Sequence, residues 1–324
     1  MITVEAPDGV GEVRAGDDLA ALVLPLVDLA DGDVLVVTSK VVSKAEGRVV
    51  SGTTREEQLA AETVRVVARR GPTTIVRTRH GLTMAAAGID ASNVEVGSVV
   101  LLPLDPDASA RALRATLLQR TGRNVGVVVT DTAGRAWREG QTDIAVGAAG
   151  LLVAEDFGGR VDAHGNPLVV TAPAVADEIA GVAELASGKL GARPFAVVRG
   201  RADLVLPPGE DGPGARALVR PEGGDLFGYG AREAVVRALL GDPADQAPFG
   251  APVAAEDLAD VVRRVLGVEA RQEATDEAQV LVVRTARLEA LAALAFAHGW
   301  ALAPATAAGP SGSAAEARLR PATT

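Results

Sequence analysis

The stretch Val127–Gly147, VVVTDTAGRAWREGQTDIAVG, decides how this chain reads. Its three leading valines have the apolar, β-branched character of a buried strand. The strand ends on Thr130, Asp131 and Thr132. A loop rich in glycine and arginine follows, with Gly134, Arg135, Trp137, Arg138, Glu139 and Gly140, and then Gln141, Thr142 and Asp143. A carboxylate and hydroxyls beside guanidinium groups suit a divalent cation carrying phosphates. Hard oxygens ligate the ion, and planar guanidinium forks take phosphate oxygens. Arg135 and Arg138 are the expected anion clamps, and Gln141, Thr142 and Asp143 stand where they can orient an amide or amine. The competing reading is a strand end, a turn and a solvated charged loop.

Outward from this stretch, strands and helices interleave. Strands are expected over 33–37, 73–77, 96–102, 125–130 and 195–198, and helices over 55–70, 109–120 and 172–190. Asp107 or Ser109 is the expected cap of the second helix. The 55–70 assignment rests on acids early (Glu56, Glu57, Glu62) and arginines late (Arg65, Arg69, Arg70), which match the helix dipole. Residues 207–214 and 220–230 read as Gly/Pro-rich loops. The spacing is too uneven for a doubly wound βαβ sheet. No GxxxxGK[ST] phosphate loop occurs, since Gly188-Lys189 lacks both the upstream glycine and the following hydroxyl. After Gly241 the composition shifts to a Pro/Ala linker, followed by a helix over 255–267, a strand over 279–284 and a helix over 286–298. The final stretch is poor in bulky apolar residues and is expected to be disordered.

Composition narrows the function. The 324 residues carry 42 acids against 32 bases, a net charge of −10, without a dense basic block, so nucleic acid is not an expected partner. Aromatics make up 2% and offer few stacking platforms for bases or flavins. The chain has no cysteine, which excludes disulfides, thiolate metal sites and a cysteine nucleophile. No apolar run reaches the roughly 20 residues of a membrane span, and the N-terminus is not a secretory signal, so a cytoplasmic protein is expected. Of the 32 basic residues, 29 are arginine; the three lysines are Lys40, Lys44 and Lys189. In so biased a chain a retained lysine points to work for a compact ammonium against phosphate oxygens.

Three further clusters carry chemistry. Gly9, Val10, Gly11 and Glu12 combine backbone that can approach a ligand closely with an acceptor for a ribose or base edge, or else form an ordinary turn. In Ser39-Lys40-Val41-Val42-Ser43-Lys44 the two ammoniums converge whether the segment is helical or extended. In the segment 77–93, small residues flank Asp90, which with Asn93 can share a metal–phosphate cluster with Asp131; an Asx-turn is the plain alternative. His80 reads equally well as a structural histidine.

Taken together these clusters resemble the coenzyme F420-0:L-glutamate ligases, the γ-glutamyl ligases of F420 biosynthesis. The matching pieces are GVGEV (9–13), TSKVVSKAEGR (38–48), RHGLTMAAAGIDASN (79–93), LLPLDPDASA (101–110), TDTAGRAWREGQTDIAVG (130–147), ADEIAGVAELASGK (176–189) and AVVRG (196–200). The resemblance implies a non-Walker, non-Rossmann α+β fold of mixed and antiparallel sheets with flanking helices, and an intertwined homodimer. It implies a ligase domain over residues 1–244, leaving a small α/β extension over 245–305 and a tail over 306–324. It also implies a GTP-dependent amide ligase acting on F420-0 and L-glutamate through an acyl phosphate, releasing GDP and phosphate and building a γ-linked glutamyl tail.

By motif position, Asp90, Asp131 and Thr132 correspond to ligands of Mg2+ or Mn2+, with K+ as a further ion. Gly9, Val10, Gly11, Glu12, Ser39, Lys40, Lys44, Asn93, Gly188 and Lys189 are the nucleotide-site candidates, and Lys44, Arg135 and Arg138 the catalytic ones. Gly11 stands where the family commonly has proline. The residues after Gly241 are too few for the flavin-binding domain of longer relatives, so no FMN is expected. Two other readings stay open: an amide ligase for a different carboxylate, and a nucleotide-binding module without chemistry.

Overall fold

The valines that open the Val127 stretch are buried on both faces of a five-stranded sheet in a computed structural model of the chain. The structure describes residues 1–221, 223–225, 227–274, 279–303 and 314–322. It divides into two compact units, Met1–Val219 and Arg220–Thr324. The composition break after Gly241 therefore lies inside the second unit.

The first unit contains β1 (Thr3–Glu5), α1 (Leu19–Val23), β2 (Val34–Thr38), α2 (Ser39–Ala45), β3 (Val49–Ser51), α3 (Arg55–Glu62), β4 (Thr63–Arg70), β5 (Thr73–Thr78), β6 (Thr83–Ala85), β7 (Ser98–Val100), α4 (Pro106–Thr121), β8 (Gly126–Arg135), β9 (Arg138–Ala149), α5 (Val175–Ser187) and β10 (Phe195–Arg199). The main sheet runs β1-β10-β2-β8-β9. Its one parallel pair is β2–β8; the other three are antiparallel. Alternate residues feed two cores, as strand geometry dictates. Leu35, Val37, Val127 and Val129 pack with Ala110, Leu113 and Leu117 of α4. Val34, Val36 and Val128 pack with Ala176, Ile179 and Ala183 of α5. A strand buried on both faces needs the continuous apolar run that the sequence shows. Between β2 and β8 the chain builds two smaller sheets, β3–β7 and β4-β5-β6. With eight helices among the described residues, the fold is mixed α+β rather than doubly wound.

Three local expectations are corrected. The helix expected over 55–70 stops at Glu62, and Thr63–Arg70 is strand β4, paired antiparallel with β5. Thr63, Val64, Val66 and Val67 are β-branched, and this preference outweighs the charge gradient. Neither Asp107 nor Ser109 caps α4; Asp105 does, accepting from the Ala108 N–H at 2.9 Å. Asp107 instead accepts the Ala148 and Ala215 N–H groups at 2.8 and 2.7 Å, tying α4 to β9 and to the chain after Gly214. The loop expected after Asp131 is a hairpin: β8 continues to Arg135, turns through Ala136 and Trp137, and returns as β9.

Buried Arg114 fixes the Pro-rich segment near the edge of this unit. It donates to the carbonyls of Val125, Leu206, Pro207 and Glu210 and to the side chains of Asn124 and Asp211. Its guanidinium fills the space beside Gly150, where an added Cβ would lie 2.0 Å from Nε.

The second unit holds α6 (Ala231–Leu240), α7 (Ala255–Leu266), β11 (Ala270–Ala274), β12 (Gln279–Thr285), α8 (Leu288–Ala297), β13 (Trp300–Leu302) and β14 (Ala315–Pro321). Its antiparallel sheet has the order β11-β12-β14-β13 and packs Leu281, Val283, Ala317 and Leu319 against Leu258, Val262 and Leu291. The tail expected to be disordered thus contributes an interior strand. Ala317 and Leu319 alternate with exposed Glu316 and Arg318, a period-two pattern that low bulk had masked. The rest of that expectation, residues 306–313 and 323–324, lies outside the described residues. No described helix is long and apolar enough to cross a membrane.

Candidate active site

A cavity of about 810 Å3 opens in the first unit where β2 passes directly into α2 and where β8 and β9 begin to leave the sheet. Five segments far apart in sequence line it, together with Arg55: residues 10–13, the start of α2, the segment leading to Asp90 and Asn93, the hairpin base, and residues 187–194. The two carboxylates expected to share an ion are held by adjacent residues of one helix. Ser39 Oγ donates to Asp131 Oδ1 at 3.0 Å, and Lys40 Nζ lies 2.5 Å from Asp90 Oδ2.

Asp90 also accepts from the Ser92 N–H at 2.7 Å and the Ser92 hydroxyl at 2.8 Å. The plain Asx-turn is therefore formed, and it presents the carboxylate to the cavity at the same time. Burial alone would raise the Asp90 carboxyl, but the Lys40 ammonium and the two Ser92 bonds hold it below the usual carboxylate range. Asp131 has the opposite balance. Burial pushes its carboxyl up to about 7 despite the Ser39 bond, and the nearby Asp143 and Asp90 charges push the same way.

Asp143 pairs with Thr132 across the hairpin and is buried. It accepts from Thr130 Oγ1 at 3.0 Å and from Thr132 Oγ1 at 2.8 Å. Lys189 Nζ reaches Thr132 Oγ1 at 3.0 Å from the chain beyond α5. Sequence reasoning placed Asp143 near the substrate; the structure makes it the residue that orients the Thr132 hydroxyl.

The helical alternative holds for residues 39–45. Lys44 is almost fully buried, with 8% of its side chain exposed. It forms a short ion pair with Glu12, and its Nζ donates to the Asn93 carbonyl at 2.8 Å. Asn93 makes that contact from a left-handed conformation with φ 57°. One ammonium thus joins three of the expected clusters.

Most of the expected site residues meet here. Val10, Gly11, Glu12, Ser39, Lys40, Lys44, Asp90, Asn93, Asp131, Thr132, Gly188 and Lys189 all line the cavity. Gly9 lies one residue outside the lining, with a positive φ of 96° that sets the turn leading to Val10. Arg135 and Arg138 do not meet the others: they sit at the exposed hairpin tip, outside the lining, and Arg135 donates to the Glu139 carbonyl. The hairpin extends the strands by several residues past Asp131, which carries both guanidiniums away from the base. His80 is structural: its Nε2 meets the Pro103 carbonyl at 2.9 Å, and burial lowers its pKa.

Arg55, Glu184 and Arg193 also line the cavity and were missed. Arg193 forms a two-pronged pair with Asp8 at 2.7 and 3.2 Å, 185 positions away in sequence, a partnership no local pattern announces.

Among the described residues no cluster of three or more His, Cys, Asp or Glu side chains forms a metal site by itself. The donor set nevertheless fits a hard cation. Two carboxylates and a hydroxyl face one space, and the raised Asp131 carboxyl marks negative charge short of compensation. Ions of the Mg2+ type are commonly held by one or two carboxylates, with water and substrate phosphates completing the shell.

Comparison with known proteins places the segments that line the cavity inside one family match. The family model described as F420-0:Gamma-glutamyl ligase matches residues 9–200, which include every segment lining the cavity. The coenzyme F420:L-glutamate ligase of Archaeoglobus fulgidus is 43% identical over 212 residues, covering 60% of this chain and 85% of the relative. The protein of the same name from Methanopyrus kandleri is 39% identical over 235 residues, 67% of this chain and 93% of the relative. That of Methanothermobacter thermautotrophicus is 37% identical over 256 residues, 70% and 98% respectively. On the matched residues and on these identities, the chain belongs to the F420-0:γ-glutamyl ligase family of ligases.

Proposed function

We propose that this protein adds L-glutamate to coenzyme F420-0 at the expense of GTP, by way of an acyl phosphate. The observation that carries the reading is the adjacency of Ser39 on Asp131 and Lys40 on Asp90 in one cavity, within the segment that matches the family. In the proposed reaction a carboxylate oxygen of F420-0 takes the γ-phosphoryl group and GDP leaves. The glutamate amine then bonds to the acyl carbon, the carbon–oxygen bond to phosphate breaks, and the amine loses a proton. Amide, GDP and phosphate result.

Each residue has a defined task in this scheme. Asp90, Asp131 and the Thr132 hydroxyl would hold Mg2+ or Mn2+, which supplies charge compensation to the transferring phosphoryl group. Lys40 exchanges its hold on Asp90 for phosphate oxygens, a role suited to a compact ammonium. Lys44, anchored by Glu12 and the Asn93 carbonyl, fixes the loop after Asp90 against α2. Asp143 keeps the Thr132 hydroxyl hydrogen turned away, which leaves an oxygen lone pair toward the cavity.

Purified protein with GTP, Mn2+, L-glutamate and F420-0 should yield a product one glutamyl residue heavier, with GDP and phosphate in equal amounts. An 18O label in the F420-0 carboxylate should appear in the released phosphate. Unchanged F420-0 under conditions where a control ligase works would reject the activity, and unlabelled phosphate would reject the acyl phosphate.

A further inference from the structure

The charges that line the cavity pair off with few exceptions. Lys40 holds Asp90, Lys44 holds Glu12, Arg193 holds Asp8, and Lys189 lies 3.9 Å from Glu184 while donating to Thr132. Two carboxylates, Asp131 and Asp143, are left with hydrogen bonds but no cationic partner. One cationic side chain of the lining is left as well: among the described residues the exposed guanidinium of Arg55 has no hydrogen-bond or ion-pair partner. The unpaired carboxylates match the expected metal. Nothing assigned so far matches the unpaired guanidinium.

Its position is unfavourable for the helix that carries it. Arg55 is the first residue of α3, directly after the cap Thr54, at the positive end of the helix dipole, where a cation is disfavoured. The nearby acid Glu57 cannot compensate it, because its carboxylate is taken by the Thr54 N–H and the Thr53 hydroxyl. Leu59, four residues on, packs against the small core of Val76, Ala87, Ile89, Val99 and Leu101. Side chains four apart share a helix face, so Arg55 projects along the wall that ends in Asp90.

We propose that Arg55 receives a two-oxygen anion of the acceptor, a carboxylate or phosphodiester of F420-0, and takes no part in nucleotide binding. This rests on the function proposed above. In the proposed function the lysines of α2 and the Asp90–Asp131 pair are committed to the nucleotide phosphates and their metal, which leaves the Arg55 guanidinium fork for a further anion presenting two oxygens side by side.

F420-0 fluorescence allows binding to be measured without turnover. Titration of F420-0 into nucleotide-free protein should show about 10- to 100-fold weaker binding for Arg55→Ala, the range for losing a charge-assisted bidentate contact. Arg55→Lys should fall between. KM for GTP and for glutamate should change less than about twofold, and melting temperatures should match. Unchanged F420-0 affinity in Arg55→Ala, or a raised KM for GTP alone, overturns the assignment and leaves the ligase reading standing. Wild-type protein that binds F420-0 without converting it removes the ligase reading, while the variant titration still decides Arg55. Wild-type protein that does not bind F420-0 at all removes both.

Discussion

The base and the tip of the β8–β9 hairpin are made of one continuous stretch and stand in different surroundings. At the base, Thr130, Asp131, Thr132 and Asp143 face the cavity and are tied to α2 and to Lys189. At the tip, Arg135, Trp137 and Arg138 are exposed and lie outside the lining. The contrast teaches that the charge-dense part of a motif need not be the part that lines the cavity. Position on a buried scaffold decides, because a rigid, partly dry setting strengthens electrostatics that water would screen at the tip.

The sharpest test of this contrast is Asp131→Asn at the base. Turnover should fall at least about 1,000-fold, the scale for losing a metal ligand or a main electrostatic stabiliser, with circular dichroism unchanged. Substantial retained turnover would move the working end elsewhere. Lys44→Ala should cost about 100-fold in kcat/KM, since it releases Glu12 and the Asn93 carbonyl together. A loss below threefold would remove Lys44 from the machinery.

A pH experiment separates base from tip without assaying activity. The Asp131 carboxyl is raised to about 7 in the folded chain, against about 3.9 unfolded. Between those values the folded state binds more protons than the unfolded state, so metal-free protein should lose stability as pH rises from about 4 to 7. Asp131→Asn should lack that part of the pH dependence in thermal melts, and Arg135→Ala should keep it. Identical melting profiles for wild type and Asp131→Asn would contradict the raised carboxyl. The smallest effect is expected at the tip: Arg135→Ala combined with Arg138→Ala should change kcat/KM less than about twofold. A loss of tenfold or more would restore the tip as a clamp.

Much of this was legible in the sequence, for identifiable reasons. The strand under Val127–Val129 is announced by continuous β-branched residues, and the scarcity of lysine pointed directly at all three cavity lysines. The hairpin was not legible because glycines and charges suggest a loop, whereas cross-strand pairing such as Thr132 with Asp143 depends on the partner strand. Thr63–Arg70 was misread because its arginines satisfy a helix dipole while its β-branched residues pair with β5. Arg193–Asp8 and the isolation of Arg55 were hidden for the same reason: who pairs with whom across a cavity is a property of the fold, not of local spacing.

The central claim is that Asp90 and Asp131 close on one cation beside the nucleotide phosphates. Anomalous scattering at the manganese edge from crystals soaked with GDP and Mn2+ tests it most directly. The expected result is a peak about 2 Å from carboxylate oxygens of both residues and from the Thr132 hydroxyl, with Lys40 turned from Asp90 toward phosphate. A nucleotide bound with no peak between these carboxylates, or with manganese held by other residues, would contradict it.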